Sequence, residues 1–479
     1  MQREVDGFRK YQQSHRANWD AIALSLDTRR EWGKYYHHKL KVIYRNLTVP
    51  NLQVLELGCG EGDLLATLKP SWGVGIDFSR EMIIRARRRH PDMVFIQADA
   101  HSLALQHRFD VIILSDLLNE VWDVQRVLQE VARVSHQRTR VILNSYSRLW
   151  EIPLRVVQRL GLAKPVSRQN WLTVEDLKGL LDLADLEIIR HWQELILPSK
   201  IPIVAAVANR ILARVWPIEY LGIANFLVAR ASPVQPKPNQ LPSVSVVVPA
   251  RNEAGNIPSL FDRIPELGRK IEIIFVEGHS TDETYEAIRR HMANYPHLSC
   301  KLLRQEGVGK GDAVRKGFAE ASGDLLMILD ADLSVRPEDL VRFFDAQLSG
   351  KAEFANGVRL VYPMEEESMR FLNLLGNKLF SLVYGWLLGQ PVKDTLCGTK
   401  SLWREDYEHM TAGRRDFASF DPFGDFDLLL GAARMNLKIL DVPVRYQRRT
   451  YGTTNIQRWQ AGWFLLKTLV IAVARFKFA

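Results

Sequence analysis

Short runs of apolar, often β-branched residues alternate with longer stretches of helical periodicity along most of this chain. In the first half these runs lie within 54–65, 73–83, 95–103 and 109–123, and in the second half within 244–257, 271–288 and 326–334. Each run is followed by glycine or by acidic residues and then by a helical pattern. This alternation predicts parallel sheets covered by helices, which is an α/β fold in each half.

The stretch ASPVQPKPNQLPS at 231–243 has four prolines and no apolar periodicity, which is typical of a linker between two domains. The pattern therefore predicts five consecutive parts. They are an N-terminal helical extension at 1–34, an α/β domain at 35–230, a proline-rich linker at 231–242, a second α/β domain at 243–456 and a C-terminal amphipathic helix at 457–479.

Composition narrows the class of partner. The 479 residues carry a net charge of +9, which favours anionic partners such as nucleotides, phospholipid head groups or nucleic acid. No nucleic-acid motif accompanies that charge, so we expect no nucleic-acid partner. The three cysteines are far apart, and the N-terminus MQREVDGFRKYQQ has no apolar signal core. Both features predict a reduced, cytoplasmic protein.

Two apolar segments, 371–389 and 462–478, come near the length of a membrane span but contain lysine or arginine. Fewer than about 20 uncharged apolar residues in a row do not predict a spanning helix. Such segments fit interfacial helices that rest on a bilayer, here on its cytoplasmic face, and they fit core helices equally well.

A glycine-rich turn follows the first apolar run, in VLELGCGEGDLL at 54–65. Gly58 and Gly60 allow a ligand to approach the backbone closely at a helix N-terminus. Asp77 follows the second run at about the spacing of a ribose-binding acid, and Asp99 follows the third. Glycines of this kind occur both in NAD-binding domains and in S-adenosylmethionine-binding domains.

The sequence ELGCGEG, together with the downstream ADAHSL, resembles class I S-adenosylmethionine-dependent methyltransferases and argues against an NAD-binding domain. The resemblance covers roughly the first domain and implies a Rossmann-like sheet. It also implies that Glu56 lies near the amino-acid end of S-adenosylmethionine and that Gly58 and Gly60 form the turn beneath it. By the same resemblance, Asp77 binds the ribose hydroxyls and Asp99 contacts the adenine amino group.

The methyl acceptor is harder to predict, because positioning supplies much of the rate of an in-line methyl transfer. A hydroxyl acceptor calls for a nearby base, and a small molecule or a glycan is the expected acceptor class. The candidate bases, each of which also fits an ordinary surface role, are Asp116, Glu120, Asp123, His101 and His107. Methylation of nucleic acid is an alternative that only the net charge supports.

The second domain contains the acid pair of LLMILDADLS, Asp330 and Asp332. On an extended chain, alternate residues point the same way, so the two carboxylates are expected to aim at one spot just beyond the strand. An isolated Asp-x-Asp fits a solvated loop or a helix cap. Here it follows the polar loop PARNEAGN, the helix-starting capping-box pattern STDET, and the glycine-rich LRQEGVGKGDAVRKGF with Lys310. In that setting, two carboxylates predict a divalent-cation site for a nucleotide diphosphate.

This set of motifs resembles family 2 inverting glycosyltransferases of the GT-A fold over about 243–456. The resemblance implies a UDP- or GDP-linked sugar donor, with Asp330 and Asp332 bridging its diphosphate through Mg²⁺ or Mn²⁺. The residues implied to contact base, ribose or diphosphate are Pro249, Arg251, Glu253, Glu277 and Lys310. Gly278 replaces an acid that helps to read the base in the family.

Further motifs resemble the dolichyl- and polyprenyl-phosphate sugar synthases within family 2. The resemblance implies that Arg359 and Arg370 hold a lipid phosphate and that Arg449 reaches donor or acceptor phosphates. A phosphate acceptor is already anionic and needs no strong base, so Asp394 is expected to shape the acceptor loop. Positions that depart from the pattern or offer another acid are Ser334, Asn455, Asp425 and Asp427.

The sequence thus predicts a bifunctional enzyme, a methyltransferase fused to a metal-dependent glycosyltransferase that acts on polyprenyl phosphate at a membrane surface. Two alternatives stay open. One is a glycan- or natural-product-directed glycosyltransferase with a non-lipid acceptor, and the other is a membrane-associated binding protein with catalytically degenerate domains.

Overall fold

The protein is described by a computed structural model, which divides by its internal contacts into two units, Met1–Ser232 and Pro233–Ala479. The first unit is described at residues 2–26, 34–159, 169–197, 208–209, 212–214 and 218–232. The second is described at residues 233, 241–359, 371–412, 424–447, 449, 451, 466–467, 469–470 and 472–473.

The first unit is built on a seven-stranded sheet in the order β3-β2-β1-β4-β5-β7-β6. The first five of these strands are parallel, and β7 runs antiparallel to both β5 and β6. The strands are β1 Gln53–Leu57, β2 Trp72–Asp77, β3 Val94–Gln97, β4 Phe109–Ser115, β5 Ser135–Tyr146, β6 Leu186–Glu194 and β7 Ala224–Ala231.

Helices cover both faces of this sheet, because its strands are apolar on both sides and pack into two separate hydrophobic clusters. The helices are α1 Gln2–Ser25, α2 Lys34–Leu47, α3 Asp63–Thr67, α4 Arg80–Arg89, α5 Val124–Arg133, α6 Glu151–Arg159 and α7 Val174–Asp182. Short 3₁₀ turns occur at Leu117–Asn119, Arg148–Trp150, Leu212–Arg214 and Ile218–Leu221.

The second unit contains another seven-stranded sheet, in the order β10-β9-β8-β11-β13-β12-β14. Its first four strands are parallel, whereas β13 runs antiparallel to β11 and β12. The strands are β8 Ser243–Ala250, β9 Lys270–Glu277, β10 Ser299–Arg304, β11 Leu325–Ile328, β12 Phe354–Val358, β13 Lys400–Trp403 and β14 Ile439–Pro443.

This sheet also buries an apolar cluster on each face. Its helices are α8 Ile257–Arg263, α9 Thr284–Asn294, α10 Lys310–Ala319, α11 Leu340–Leu348, α12 Phe371–Leu388, α13 Arg404–Ala412 and α14 Asp425–Arg434, with a 3₁₀ turn at Pro337–Asp339. Two α/β units with mixed, mainly parallel sheets confirm the fold class expected from the alternating pattern.

Two local predictions are corrected by the structure. Helix α9 does begin at Thr284, the last residue of STDET, but the Thr284 N–H donates to the Asp282 carboxylate and the residue before the helix, Glu283, makes no side-chain capping hydrogen bond. The strand leading to the acid pair ends at Ile328, so Asp330 and Asp332 lie in a turn and not on an extended chain.

The two apolar segments differ in how much of each is described. Helix α12 buries Tyr384, Leu387 and Leu388 in the core while Leu379 and Leu382 stay exposed, so it combines the core and surface roles. Most of the predicted C-terminal helix lies outside the described residues. Within the described part of the chain, no helix has the length and apolar content of a membrane span.

Candidate active sites

The glycine-rich turn of the first unit follows β1, leads into α3 and lies beside the carboxyl end of β2. Gly58 and Gly60 adopt φ values of 72° and 51°, a left-handed backbone that disfavours other residues. The Gly60 N–H donates to Asp77 Oδ2 at 2.9 Å, so the turn is anchored on the acid that ends β2. A Cβ placed on Gly60 would meet no atom within 4 Å, so this side of the turn faces open space. The turn therefore suits a ligand that approaches the backbone.

The two acids beside this turn are almost fully buried. Burial raises the pKa of Asp77 to about 6, although its carboxylate accepts hydrogen bonds from the Ser79 and Gly60 N–H groups. Burial also raises the pKa of Glu56 to about 8, and its Oε2 accepts from the Leu65 N–H at 3.0 Å. Glu56 thus stabilises the first turn of α3 through this hydrogen bond. Asp77 lies at the carboxyl edge of the sheet, where a ribose is predicted to bind.

Asp99, after β3, is contacted by a residue for which no sequence motif predicts a role. Helix α1 brings the Gln12 side-chain amide to Asp99 Oδ2. The imidazole and backbone N–H of His101 hold Asp99 Oδ1 at 2.6 and 3.0 Å. These hydrogen bonds and the His101 charge outweigh burial, the largest single influence on this carboxyl, and lower its pKa to about 2. Helix α1 therefore lies over the adenine end of the predicted cofactor site.

A second polar group lies at the carboxyl ends of β4 and β5. Asp116 has φ 55°, a strained backbone for a residue with a side chain. Its Oδ1 accepts from the Tyr36 hydroxyl at 2.9 Å and from the Asn144 amide. The ring of Tyr146 lies 6.0 Å from that of Tyr36 and 6.3 Å from that of Trp171. An acid among aromatic rings at this edge is the candidate acceptor pocket.

The other candidate bases lie in different places. Asp123 caps helix α5 by accepting from the Arg126 N–H, and His107 contacts Gln53 at the opposite, amino-terminal edge of the sheet. Glu120 accepts from the Trp19 indole at 2.8 Å and lies 3.4 Å from the ring of His15. Of the five candidates, Asp116 therefore has the best position for acceptor chemistry.

In the second unit, the turn after β11 brings the acid pair to the edge of the sheet. Ile328 pairs with Val247 on one side and with Lys400 on the other, so the turn lies between β8 and the loop before β13. Asp330 forms an ion pair with Lys310, the first residue of α10. A helix N-terminus and a lysine beside a carboxylate suit a phosphate bridged by a cation.

Asp332 is held by two residues, Arg449 and Ser334. Arg449 Nη2 lies 2.7 Å from Asp332 Oδ2, and the Ser334 N–H donates to Oδ1 at 3.0 Å. These contacts offset burial, the largest single influence on this carboxyl, and lower its pKa. Burial raises the pKa of the nearby Tyr446 phenol, and both Asp332 and Asp330 add to that shift. The charges of both carboxylates therefore reach the same group, the Tyr446 phenol.

The predicted base and ribose contacts line the ends of β8 and β9. Pro249 is the second-last residue of β8, and Arg251 is exposed just beyond the end of that strand. Glu253 is buried against the Asn256 amide, and burial raises its pKa to about 7. The Glu277 carboxylate accepts from the Ser280 N–H at 2.6 Å and thereby shapes the loop after β9.

Arg359 and Asp394 form a buried, two-pronged ion pair. Arg359 Nε and Nη2 lie 2.7 and 2.9 Å from Asp394 Oδ2 and Oδ1, and the guanidinium covers the ring of Tyr446. Asp394 is fully buried and also accepts from the Leu396 N–H. This arrangement fits a residue that shapes a loop rather than one that takes a proton from an acceptor.

Some predicted residues cannot be placed. Arg370 and Asn455 lie outside the described residues, as does the side chain of Asp425. Asp427 is buried in helix α14 among the residues packed under β12 and β14. Of the three arginines predicted to contact the phosphates, the structure therefore describes Arg359 and Arg449.

Sequence reasoning missed several residues that the structure brings to these sites. Tyr451 packs its ring against Gly255, where a Cβ would come within 2.4 Å of it, and its hydroxyl lies 3.5 Å from Asp282. The motif RTYG at 449–452 gave a partial signal for Tyr451. No local signal marked Gln12, because its partner Asp99 is distant in the sequence.

The residues present fit the predicted cofactors. Gly58 and Gly60 leave an open backbone turn beside Asp77, the acid predicted to bind ribose, and this arrangement suits S-adenosylmethionine. Asp330 and Asp332 supply the hard oxygen ligands that Mg²⁺ and Mn²⁺ prefer, and these ions commonly complete their shell with phosphate oxygens and water.

Comparisons with known proteins agree with this division. The "Glycosyl transferase family 2" family matches residues 245–417, and the "Methyltransferase domain" family matches residues 48–184. A dolichol-phosphate mannosyltransferase from Pyrococcus furiosus is 29% identical over 220 residues, which are 45% of this chain and 59% of that protein. An undecaprenyl-phosphate 4-deoxy-4-formamido-L-arabinose transferase from Aeromonas hydrophila is 34% identical, covering 22% of this chain and 34% of that protein.

Among solved structures, an S-adenosylmethionine-dependent methyltransferase from Thermotoga maritima aligns with 18% identity and a TM-score of 0.36, covering 44% of this chain and 99% of its own. The chain spans less than two thirds of the length of the two curated relatives, so their activities do not transfer to it as findings. The resemblances drawn from sequence are confirmed at the level of the two domains: residues 48–184 match a methyltransferase domain and residues 245–417 match glycosyltransferase family 2.

Proposed function

We propose that the second domain transfers a sugar from a UDP- or GDP-linked donor to polyprenyl phosphate, with inversion and with the help of Mg²⁺ or Mn²⁺. The observation that carries this proposal is the convergence of Asp330, Asp332, Lys310 and Arg449 at the carboxyl edge of β8 and β11. Two acids and two basic groups at one edge suit a diphosphate bridged by a cation.

The proposed reaction is a single displacement at the anomeric carbon. An oxygen of the acceptor phosphate forms the new bond to that carbon, while the bond to the donor diphosphate breaks and its electron pair leaves with the nucleotide. A divalent cation, when bound, neutralises charge on the departing diphosphate. Lys310, at the N-terminus of α10, supplies positive charge to the same phosphates.

The acceptor class is inferred from the basic residues Arg359 and Arg449 and from the pairing of Asp394 with Arg359. Asp394 accepts two hydrogen bonds from the Arg359 guanidinium, so its carboxylate is engaged in that ion pair. A phosphate needs no deprotonation at neutral pH. Both curated relatives carry a polyprenyl or dolichol phosphate in their names, which supports the same choice.

The first domain is proposed to transfer a methyl group from S-adenosylmethionine to a small molecule or glycan. Gly58, Gly60 and Asp77 would hold the methionine and ribose parts, and Asp99 the adenine. The acceptor atom bonds to the methyl carbon as the carbon–sulfur bond breaks. Asp116, held by Tyr36 and Asn144, is placed to take the proton of an acceptor hydroxyl.

A radiolabel partition assay tests the glycosyltransferase proposal. Purified full-length protein would be incubated with labelled UDP- or GDP-sugars, polyprenyl phosphate and Mn²⁺, and label would be counted in the organic phase. We expect metal-dependent label from one donor, and a loss of at least roughly a hundredfold in D332N. D345N, which removes an exposed acid from the neighbouring helix α11, is the matched control and should stay active.

The outcomes separate the alternatives. Aqueous label with nucleotide release would identify a non-lipid acceptor and would contradict the lipid assignment. No nucleotide release with any donor, together with retained binding, would favour a catalytically degenerate protein.

A further inference from the structure

The methyltransferase domain exposes an apolar patch that its fold does not use. Leu149, Ile152 and Val156 are 64%, 74% and 49% exposed, and their spacing places them along one side of α6 and the turn before it. Tyr220 and Leu221, 55% and 53% exposed, belong to a second segment. These five residues are called the apolar patch.

Two hydrogen bonds join the halves of the apolar patch. The Trp150 indole donates to the Leu221 carbonyl at 2.8 Å, and the Ser147 N–H donates to the Ile223 carbonyl at 2.7 Å. The two segments therefore lie side by side even though about 70 residues separate them in the chain. A contiguous exposed apolar surface on a globular domain commonly marks an interaction site.

Charge around the apolar patch favours an anionic partner. Arg148 and Arg155 are exposed next to its leucine and isoleucine, and Arg155 also contacts Glu151. In the sequence, residues 147–172 contain five basic residues and one acid, and residues 195–221 contain three basic residues and one acid. Among the described side chains, Arg148 and Arg155 are the basic residues that lie exposed beside the patch. Apolar side chains among arginines are typical of helices that rest on anionic bilayers.

The patch also adjoins the candidate acceptor pocket. Tyr146, whose ring lies near Tyr36 and Trp171 in that pocket, ends β5 three residues before Leu149, the first residue of the patch. A partner surface that bound the patch would therefore bring the molecules in that surface close to the edge of the sheet where Asp116 lies.

We propose that the apolar patch docks the methyltransferase domain on an anionic lipid bilayer and that its methyl acceptor is carried by that membrane. This inference deepens the proposed methyl transfer and rests on it for the acceptor. It adds a docking surface on the first domain to the membrane contact predicted for the second.

Vesicle flotation tests the docking without any substrate. The full-length protein would be mixed with vesicles of phosphatidylcholine, with or without phosphatidylglycerol, in the L379E/L382E background, which removes the exposed leucines of α12. We expect L149E/I152E to lower binding to phosphatidylglycerol vesicles by roughly tenfold. L183E, which changes a leucine that is 72% exposed elsewhere on the domain, is the matched control and should bind as the background does.

Retained affinity for S-adenosylmethionine, measured by calorimetry, would show that L149E/I152E is folded. Equal flotation of L149E/I152E and L183E would overturn the proposal. Unchanged flotation together with a lower mass in light scattering would instead assign the patch to a second copy of the chain. A failure of sugar transfer leaves this result untouched, because flotation needs neither donor nor acceptor.

Discussion

Arg449 bridges two acids, with its Nη2 atom 2.7 Å from Asp332 Oδ2 and 3.5 Å from Glu253 Oε1. The Arg449 guanidinium is therefore bound to the Asp332 carboxylate, which is the proposed ligand of the metal ion. The Asp332 and Glu253 charges raise the pKa of Arg449, against the effect of burial, which is the largest single influence and lowers it. A divalent cation must displace this contact, which would release Arg449 toward the phosphates.

Replacing Arg449 should separate metal affinity from turnover. We expect R449Q to bind Mn²⁺ in the absence of nucleotide roughly tenfold more tightly, because a competing positive charge is gone. Sugar transfer should fall at the same time, because a phosphate contact is lost. Manganese electron paramagnetic resonance would give the affinity. R449K, which keeps the charge, should resemble the wild type in metal binding, and equal affinity of R449Q and wild type would contradict the competition.

The Arg359–Asp394 pair should matter chiefly for stability. D394N leaves a buried guanidinium without its partner charge, and we expect it to lower the free energy of unfolding of the second domain by about 3–5 kcal/mol. The exposed pair Arg263–Glu338 is the matched control, and E338Q should cost less than about 1 kcal/mol. Urea unfolding would measure both. A D394N variant as stable as E338Q but inactive in transfer would assign Asp394 to chemistry instead.

Glu56 should make the first domain less stable as the pH rises. Its folded pKa of about 8 exceeds its ordinary value of 4.5, so between these values the folded state binds more protons than the unfolded state. The stabilising contribution is complete below about 4.5 and declines until the pH passes about 8. We expect E56Q, which keeps an acceptor for the Leu65 N–H, to gain stability relative to the wild type over that range, on the order of 3 kcal/mol.

Thermal unfolding of the full chain would measure this difference, and the transition that S-adenosylmethionine shifts would identify the first domain. E175Q, at an exposed position in α7, should differ from the wild type by the same amount at every pH. A difference between E56Q and wild type that does not change with pH would show that the Glu56 carboxyl is ionised in the folded protein.

Asp77 should govern the affinity for S-adenosylmethionine. D77N weakens both the predicted ribose contact and the hydrogen bond from Gly60. We expect the affinity to fall by about 1.5–3 kcal/mol, which calorimetry would measure as a loss of roughly tenfold to a hundredfold. D92N, in an exposed turn of the same domain, serves as the control. Unchanged affinity in D77N would remove Asp77 from the cofactor site.

The sequence predicted the strand ends well, because an apolar run that stops at glycine or acid marks the edge of a parallel sheet. Asp77 lies where that argument places it, at the last residue of β2. The argument from apolar runs could not predict two side-chain pairs, Arg359 with Asp394 and Gln12 with Asp99. Each pair joins residues that are distant in the sequence and meet only in the folded protein. The turn at the acid pair was missed, because an apolar run does not reveal where its last hydrogen bond lies.

The position of β7 in the first sheet bears on how the chain is synthesised. Strand β7, Ala224–Ala231, is the last of its unit to leave the ribosome, yet it lies between β5 and β6 and pairs with both. In the described sheet β6 pairs with β7 alone, so a nascent chain that ends before residue 224 leaves β6 unpaired and β5 as an open edge. The methyltransferase sheet is therefore completed only when translation reaches the proline-rich linker, and an excised domain must extend through Ala231 to avoid edge-to-edge aggregation.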